Sequence, residues 1–188
     1  MSTAYEMSPA TTRALRITGW SLVAGLLALP AVAMQFTDEV NWTASDFVFA
    51  AIMFGTVGGL LELAARASSN LAYRVAVAAA VVCGFLQIWI NLAVGIIGNE
   101  DNSANWTYFA VVFMAAAGAI VALGDPRALM RAMLAAAGAQ FLFSVIHALN
   151  GTPTPIIDGF FILVWLLAAR LFAKSANERQ FAEPVAQS

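Results

Sequence analysis

The sequence predicts an all-α integral membrane protein, a bundle of six antiparallel transmembrane helices with both termini cytoplasmic. Three observations point there: the composition, six long apolar runs, and the one-sided placement of the basic residues. Of 188 residues, 61% are apolar and only 11% charged, with a mean hydropathy of +0.80. A soluble domain carries about 25% charge. The apolar mass also excludes a disordered chain. Nine Lys+Arg against eleven Asp+Glu give a net charge of −2, which argues against a nucleic-acid partner. One cysteine excludes an internal disulfide, a CxxC redox pair and a multi-thiolate metal site, and one histidine excludes a multi-histidine metal centre or bis-histidine haem.

A hydrocarbon core of about 30 Å takes roughly 20 apolar residues per helix. Spans are expected at about 17–36, 45–65, 75–98, 105–124, 128–149 and 155–173. The first ends at the acidic loop Asp38-Glu39, the third at Asn99-Glu100-Asp101-Asn102, and the fourth at Asp125-Pro126. Short connections make consecutive helices antiparallel neighbours in a single domain over 1–188, with polar tails at 1–12 and 175–188. Arg13, Arg16, Arg66, Arg74, Arg127, Arg131, Arg170, Lys174 and Arg179 are all the basic residues, and every one falls on the same side. The positive-inside rule makes that side cytoplasmic. A competing expectation treats the first span, ending Ala31-Val32-Ala33, as a cleaved signal peptide; that would leave five spans and the same charge pattern.

Three N-x-T stretches hint at a repeat of similar hairpins: Asn41-Trp42-Thr43, Asn105-Trp106-Thr107 and Asn150-Gly151-Thr152. Helix capping and an interfacial aromatic belt explain them equally well.

Polar side chains at membrane depth are costly, and each is a candidate site. On span three, Gly84, Gln87, Asn91, Gly95 and Gly98 recur at three or four residues and share one face. That face is either a packing seam with amide glue or a polar pocket entered from outside, with Asn91 ~10 Å below the outer end of its helix. On span two, Gly55 and Gly59 form a small-xxx-small pair, and Glu62 precedes Arg66 by four residues, the order that favours an ion pair; unpaired, Glu62 would be a proton-carrying carboxylate. His147 and Asp158 close and open spans five and six at similar depth. They suggest an ion pair or hydrogen bond and a pH-sensitive element. Asp158 is equally explained as a first-turn acid after Thr154 as N-cap and Pro155 at N1, and Asp46 follows Thr43 in the same way. Gln140 reads as interhelical glue.

The outer loops carry Asp38, Glu39, Asp46, Glu100, Asp101 and Asp158 without a basic residue. Such acids can recruit a divalent cation or a cationic partner, or simply follow from topology. No Walker A loop, GxSxG elbow, HExxH pair or Gly-rich dinucleotide turn occurs, and no Lys lies within a span to form a Schiff base. No metal or cofactor is expected, and an enzyme would depend on its carboxylates.

Residues 89–105 (WINLAVGIIGNEDNSAN) and 36–43 (FTDEVNWT) resemble two blocks of an uncharacterised family of small bacterial multi-pass inner-membrane proteins. The resemblance implies a bacterial inner membrane and carries over no activity. Both blocks fall in outer loops, where residues more often serve function than packing.

The functional expectation is a non-enzymatic protein that binds a partner protein, lipid or small ligand at its outer half. The pocket would be formed by Asn91, Gln87, Asp38, Glu39, Trp42, Glu100 and Asp101. The alternative is a small-solute, ion or proton-coupled transporter or channel with Glu62, Asn91, His147 and Asp158 along its path. A carboxylate- or metal-dependent membrane enzyme comes third. Expected partners are membrane lipids and a larger membrane complex or a second copy of the chain.

Overall fold

The computed structural model describes residues 9–182. They form six α-helices: α1 Pro9–Ala33, α2 Ala44–Ala67, α3 Leu71–Ala93, α4 Trp106–Val121, α5 Pro126–Leu149 and α6 Pro155–Ala182. A 3-10 turn, Ser103–Asn105, leads into α4, and no strand occurs among the described residues. All six helices, α4 counted with its leading turn, are long and apolar enough to cross a membrane, the mark of a multi-pass membrane protein.

Residues 1–8 and 183–188 of the expected tails lie outside the described residues. Helix α1 already begins at Pro9, and α6 continues through residues 175–182. The polar composition of 175–182 hides two buried positions, Ser175 and Ala176, which prolong the packed face of α6.

The chain divides within α2 into two compact units, Met1–Glu62 and Leu63–Ser188. In the first, Thr43 caps α2 by directing both its N–H and its hydroxyl to the Asp46 carboxylate, at 2.7 and 2.8 Å. The Trp20 ring covers Gly58, where a Cβ would stand 3.0 Å from the indole. Close packing therefore falls on Gly58, one helix face away from the Gly55/Gly59 pair that the spacing suggested. Trp42 packs edge-on against Phe47 at 5.2 Å between ring centroids.

In the second unit, α6 packs against α5 and α3, and α4 packs against α5 and α3. The shared core is rich in alanine (Ala76, Ala115, Ala136, Ala137, Ala168), with Met133, Phe161, Trp165 and Phe172 filling the remaining volume. Small residues suit a membrane interior, where van der Waals contact replaces the hydrophobic drive. The closest approach is that of α4 to α5, where a Cβ on Gly118 would lie 2.7 Å from Cβ of Ala132.

Local chemistry sets the connections. Arg74 donates to the carbonyls of Ser68 (2.6 Å) and Ala65 (2.7 Å), satisfying the exposed end of α2. Asn70 caps α3 through Tyr73 N–H (2.9 Å) and donates to Glu178 near the end of α6 (2.7 Å). Between α4 and α5 the backbone turns through Leu123 (φ 47°) and Gly124 (φ 82°) before Asp125 accepts from Ala128 N–H at 2.7 Å. Pro126 follows at the start of α5, where its missing N–H costs nothing.

Gly118→Val should lower the unfolding free energy of the detergent-solubilised protein by about 1–3 kcal/mol through overpacking. Gly138→Ala, with open space around its Cβ, should leave stability equal or slightly higher because alanine favours the helix. Unfolding of both variants in mixed micelles measures the contrast.

Candidate functional site: a buried polar cluster

Apart from Ser175, the buried polar side chains of the second unit gather toward the end of α3, the start of α4, the end of α5 and the start of α6. Gln87, Asn91, Asn105, Tyr108, Gln140, His147 and Asp158 are all at most 3% exposed. Groups buried at membrane depth persist only if hydrogen-bonded, so their partners define the site.

Asp158 is the centre. Its Oδ1 accepts from Tyr108 Oη (2.9 Å, from α4) and from Gln140 Nε2 (2.9 Å, from α5). Its Oδ2 accepts from Thr154 Oγ1 at 2.8 Å. The backbone N–H of Asp158 also bonds the Thr154 carbonyl at 2.9 Å, the first turn of α6. Thr154 and Pro155 start the helix as the sequence suggests, and the acid in that first turn is also clasped by two other helices. The carboxyl group is fully buried and makes no ion pair among the described residues.

Gln87 ties α3 to the same cluster. With its amide nitrogen donating to the Tyr108 carbonyl (3.2 Å), its oxygen accepts from the Trp165 indole N–H (3.1 Å) and stands 3.3 Å from Oε1 of Gln140. The opposite orientation would set oxygen against carbonyl and N–H against N–H. Gln140 is interhelical glue in the literal sense, bonding α5 to α6 through Asp158.

His147 is held differently from the direct bond to Asp158 that its position suggested. Its Nε2 lies 3.1 Å from Thr107 Oγ1. The single hydroxyl proton of Thr107 goes to the Ala104 carbonyl at 2.7 Å, so Thr107 must accept from His147 Nε2–H. The imidazole thereby carries a proton on Nε2, and its Nδ1 is buried and has no hydrogen-bond partner among the described residues. The ring lies 5.7 Å from that of Tyr108, so Tyr108 stands between the histidine and the carboxyl group.

Asn91 and Asn105 shape the connection above the cluster. Asn91 donates to the Gln87 carbonyl at 2.7 Å and faces Ile96 N–H at 3.4 Å. Asn105 accepts from Ile96 and Ile97 N–H (3.2 and 2.9 Å) and donates to the carbonyls of Ile97 and Asn99 (3.3 and 2.7 Å). Gly95 is required there: its φ is +70°, and a Cβ would meet the Asn99 carbonyl carbon at 2.3 Å. Glu100 and Asp101 stand exposed on the far side of this connection. The three N-x-T asparagines thus do unlike work. Asn105 clamps a loop, Asn150 bonds its own helix end through the Ile146 carbonyl (2.8 Å), and Asn41 is exposed.

Of the expected pocket residues, Gln87 and Asn91 therefore join His147 and Asp158 in one cluster. Asp38, Glu39 and Trp42 belong to the first unit, the two acids exposed. Glu62 also lies in that unit, where Arg16 binds its carboxylate at 2.7 Å, a partner besides the Arg66 that the helix spacing named. Sequence reasoning missed Tyr108, Thr107 and Trp165, which resemble ordinary interfacial or core residues. The only signal for Tyr108 was its place beside Thr107 at the start of a helix that carries no further polar side chain. Among the described residues no three of His, Cys, Asp and Glu converge in a way that could hold a metal.

No protein-family model, curated protein or solved structure matches the chain. That accords with the resemblance in residues 36–43 and 89–105, which brings no activity with it.

Asn105→Ala removes four hydrogen bonds and leaves the Ile97 N–H without its partner, while Ile96 N–H keeps only the longer contact to Asn91. It should cost about 1–3 kcal/mol, since buried donors left without a partner carry the full desolvation penalty. Faster amide exchange at Ile96 and Ile97 should accompany the loss and can be read by hydrogen–deuterium exchange.

Proposed function

We propose that this chain is a non-enzymatic protein of a bacterial inner membrane that takes up a small cation in the outer half of its α3–α6 bundle. Asp158 carries that proposal. It is a wholly buried carboxyl group with three neutral donors and no cationic side chain paired to it. An acid at membrane depth without a counter-charge is a site for one. The buried Nδ1 of His147 adds a ring nitrogen without a hydrogen-bond partner among the described residues to the same cluster.

Helices α3–α6 run as antiparallel neighbours, and both termini of the chain lie in the cytoplasm. Support comes from the one-sided basic residues and from bonds that join the start of α4 to the end of α5 (Thr107–His147) and the start of α3 to the end of α6 (Asn70–Glu178). The cluster then faces the outer leaflet. Toward the cytoplasm the core passes to Ala76, Ala115, Met133, Ala137, Ala169 and Phe172, and the next buried hydroxyl on α6, Ser175, lies about 25 Å along the helix from Asp158. A one-sided binding module is therefore favoured over a through-channel, which needs polar groups along its whole length. Exposed Glu100 and Asp101 would raise the local cation concentration at the outer mouth. Lipids, a second copy or a larger complex would cover the apolar outer faces of the helices.

Two measurements test this. Maleimide labelling of Glu100→Cys and Arg127→Cys should mark opposite compartments in intact cells, and labelling from one side alone would reject the orientation. The unfolding temperature of the purified protein should move with pH or with Na⁺ or K⁺ concentration, and Asp158→Asn should abolish that dependence. A wild type indifferent to all three would reject cation uptake.

A further inference from the structure

The hydrogen-bond geometry around Asp158 counts its own protons. Tyr108 Oη, Thr154 Oγ1 and the Asp158 carboxyl group form a closed triangle, with contacts of 3.0 Å (Tyr108–Thr154), 2.9 Å (Tyr108–Asp158 Oδ1) and 2.8 Å (Thr154–Asp158 Oδ2). Each contact is within hydrogen-bonding range for two oxygens. Three such contacts need three protons, and the two hydroxyls supply two. With an ionised Asp158, one side of the triangle is two oxygens with nothing between them.

A second contact nearby falls short in the same way. Once Gln87 is oriented by the Tyr108 carbonyl and the Trp165 indole, its oxygen faces Oε1 of Gln140 at 3.3 Å, acceptor against acceptor. Gln140 is held in that orientation because its nitrogen donates to Asp158 Oδ1.

We infer that Asp158 is a proton-binding site, a carboxyl group held as the neutral acid by the Tyr108–Thr154–Gln140 cage. This rests on the cation-uptake reading above and names the cation. A proton on Oδ2 donates to Thr154, Thr154 donates to Tyr108 and Tyr108 donates back to Oδ1, so all three sides are bonded in one cycle. A proton on Oδ1 instead donates to Gln140 Oε1 once that amide turns, which frees the Gln140 N–H groups for the Gln87 oxygen. Both routes place one proton on one carboxyl group, taken from water as hydronium, and the cluster passes from charge −1 to neutral. A proton also needs no cavity, which suits a site whose members are fully enclosed.

The groups facing Asp158 fit a single-proton site. From α4 comes the Tyr108 phenol, and from α5 come Gln140 and, beyond Tyr108, His147. From α3 the Gln87 amide reaches the cluster through Gln140 and the Tyr108 carbonyl, and the buried Cys83 thiol lies against the Phe161 carbonyl, one turn along α6. Asp158 pairs with no Arg or Lys among the described residues.

Infrared spectroscopy of the full chain in lipid nanodiscs tests this. At neutral pH the wild type should show one carboxylic-acid C=O band that shifts in D₂O, is missing in Asp158→Asn and disappears on alkaline titration as a single proton. Thr154→Val and Tyr108→Phe each remove one bond of the cycle, and should move the band to higher frequency without deleting it. These two variants assign the band even if Asp158→Asn does not fold. A neutral-pH spectrum without such a band, or a band unmoved by all three substitutions, overturns the proton site. If the band is absent while Na⁺ or K⁺ still raises the unfolding temperature, cation uptake stands and only the proton falls. If both readouts are silent, both fall together.

Discussion

A carboxyl group buried without contact to solvent has to find every one of its partners within the protein, and that requirement organises the α3–α6 unit. Asp158 draws one donor from α4, one from α5 and one from the residue preceding α6. The indole of Trp165 and the amide of Gln87 extend the set to α3. Hydrogen bonds of this kind add directional specificity to contacts that alanine and glycine make without any. Removing one donor would leave the rest of a buried network only partly satisfied, a worse state than an apolar core.

The two ends of the unit solve the same problem by different means. At the end where α3 passes into α4, side-chain amides substitute for backbone partners, with Asn105 bonding four main-chain groups of a loop that has no regular ladder. At the opposite end the partners are charged and nearer water. Arg74 closes the carbonyls of α2, Arg179 lies over the Tyr73 ring at 5.3 Å, and Lys174 and Glu178 stand one turn apart. Long basic side chains can satisfy a helix end while reaching toward the polar boundary, whereas the amide-rich end has no such reach and is sealed instead.

Much of the fold was written in one-dimensional patterns. Length and hydropathy alone mark six helices, because a membrane-crossing segment must satisfy its backbone within itself. Asp125-Pro126 and Thr154-Pro155 mark helix starts for the same local reason. The polar residues Gln87, Asn91, His147 and Asp158 were also visible, since any such side chain is anomalous among apolar neighbours. Their pairing was not. His147 and Asp158 are close in sequence, so they suggested each other, but Tyr108 from another helix lies between them. Tyr108 and Trp165 stayed invisible because aromatic residues are unremarkable in a span. The extension of α6 was missed because the burial of Ser175 and Ala176 and the Asn70–Glu178 bond come from tertiary packing, which the polar composition of the segment does not report.

Tyr108 joins the cluster twice, by its main-chain carbonyl to Gln87 and by its phenol to Asp158. One attachment lies on the helix axis and the other at the tip of a rigid side chain, so they resist different motions. Sliding α4 lengthwise by a single residue, about 1.5 Å, would shift each contact by up to half its length, and turning it about its axis would swing the phenol away from Asp158. One amino acid therefore fixes both the height and the azimuth of its helix, which makes α4 a bolt rather than a piston.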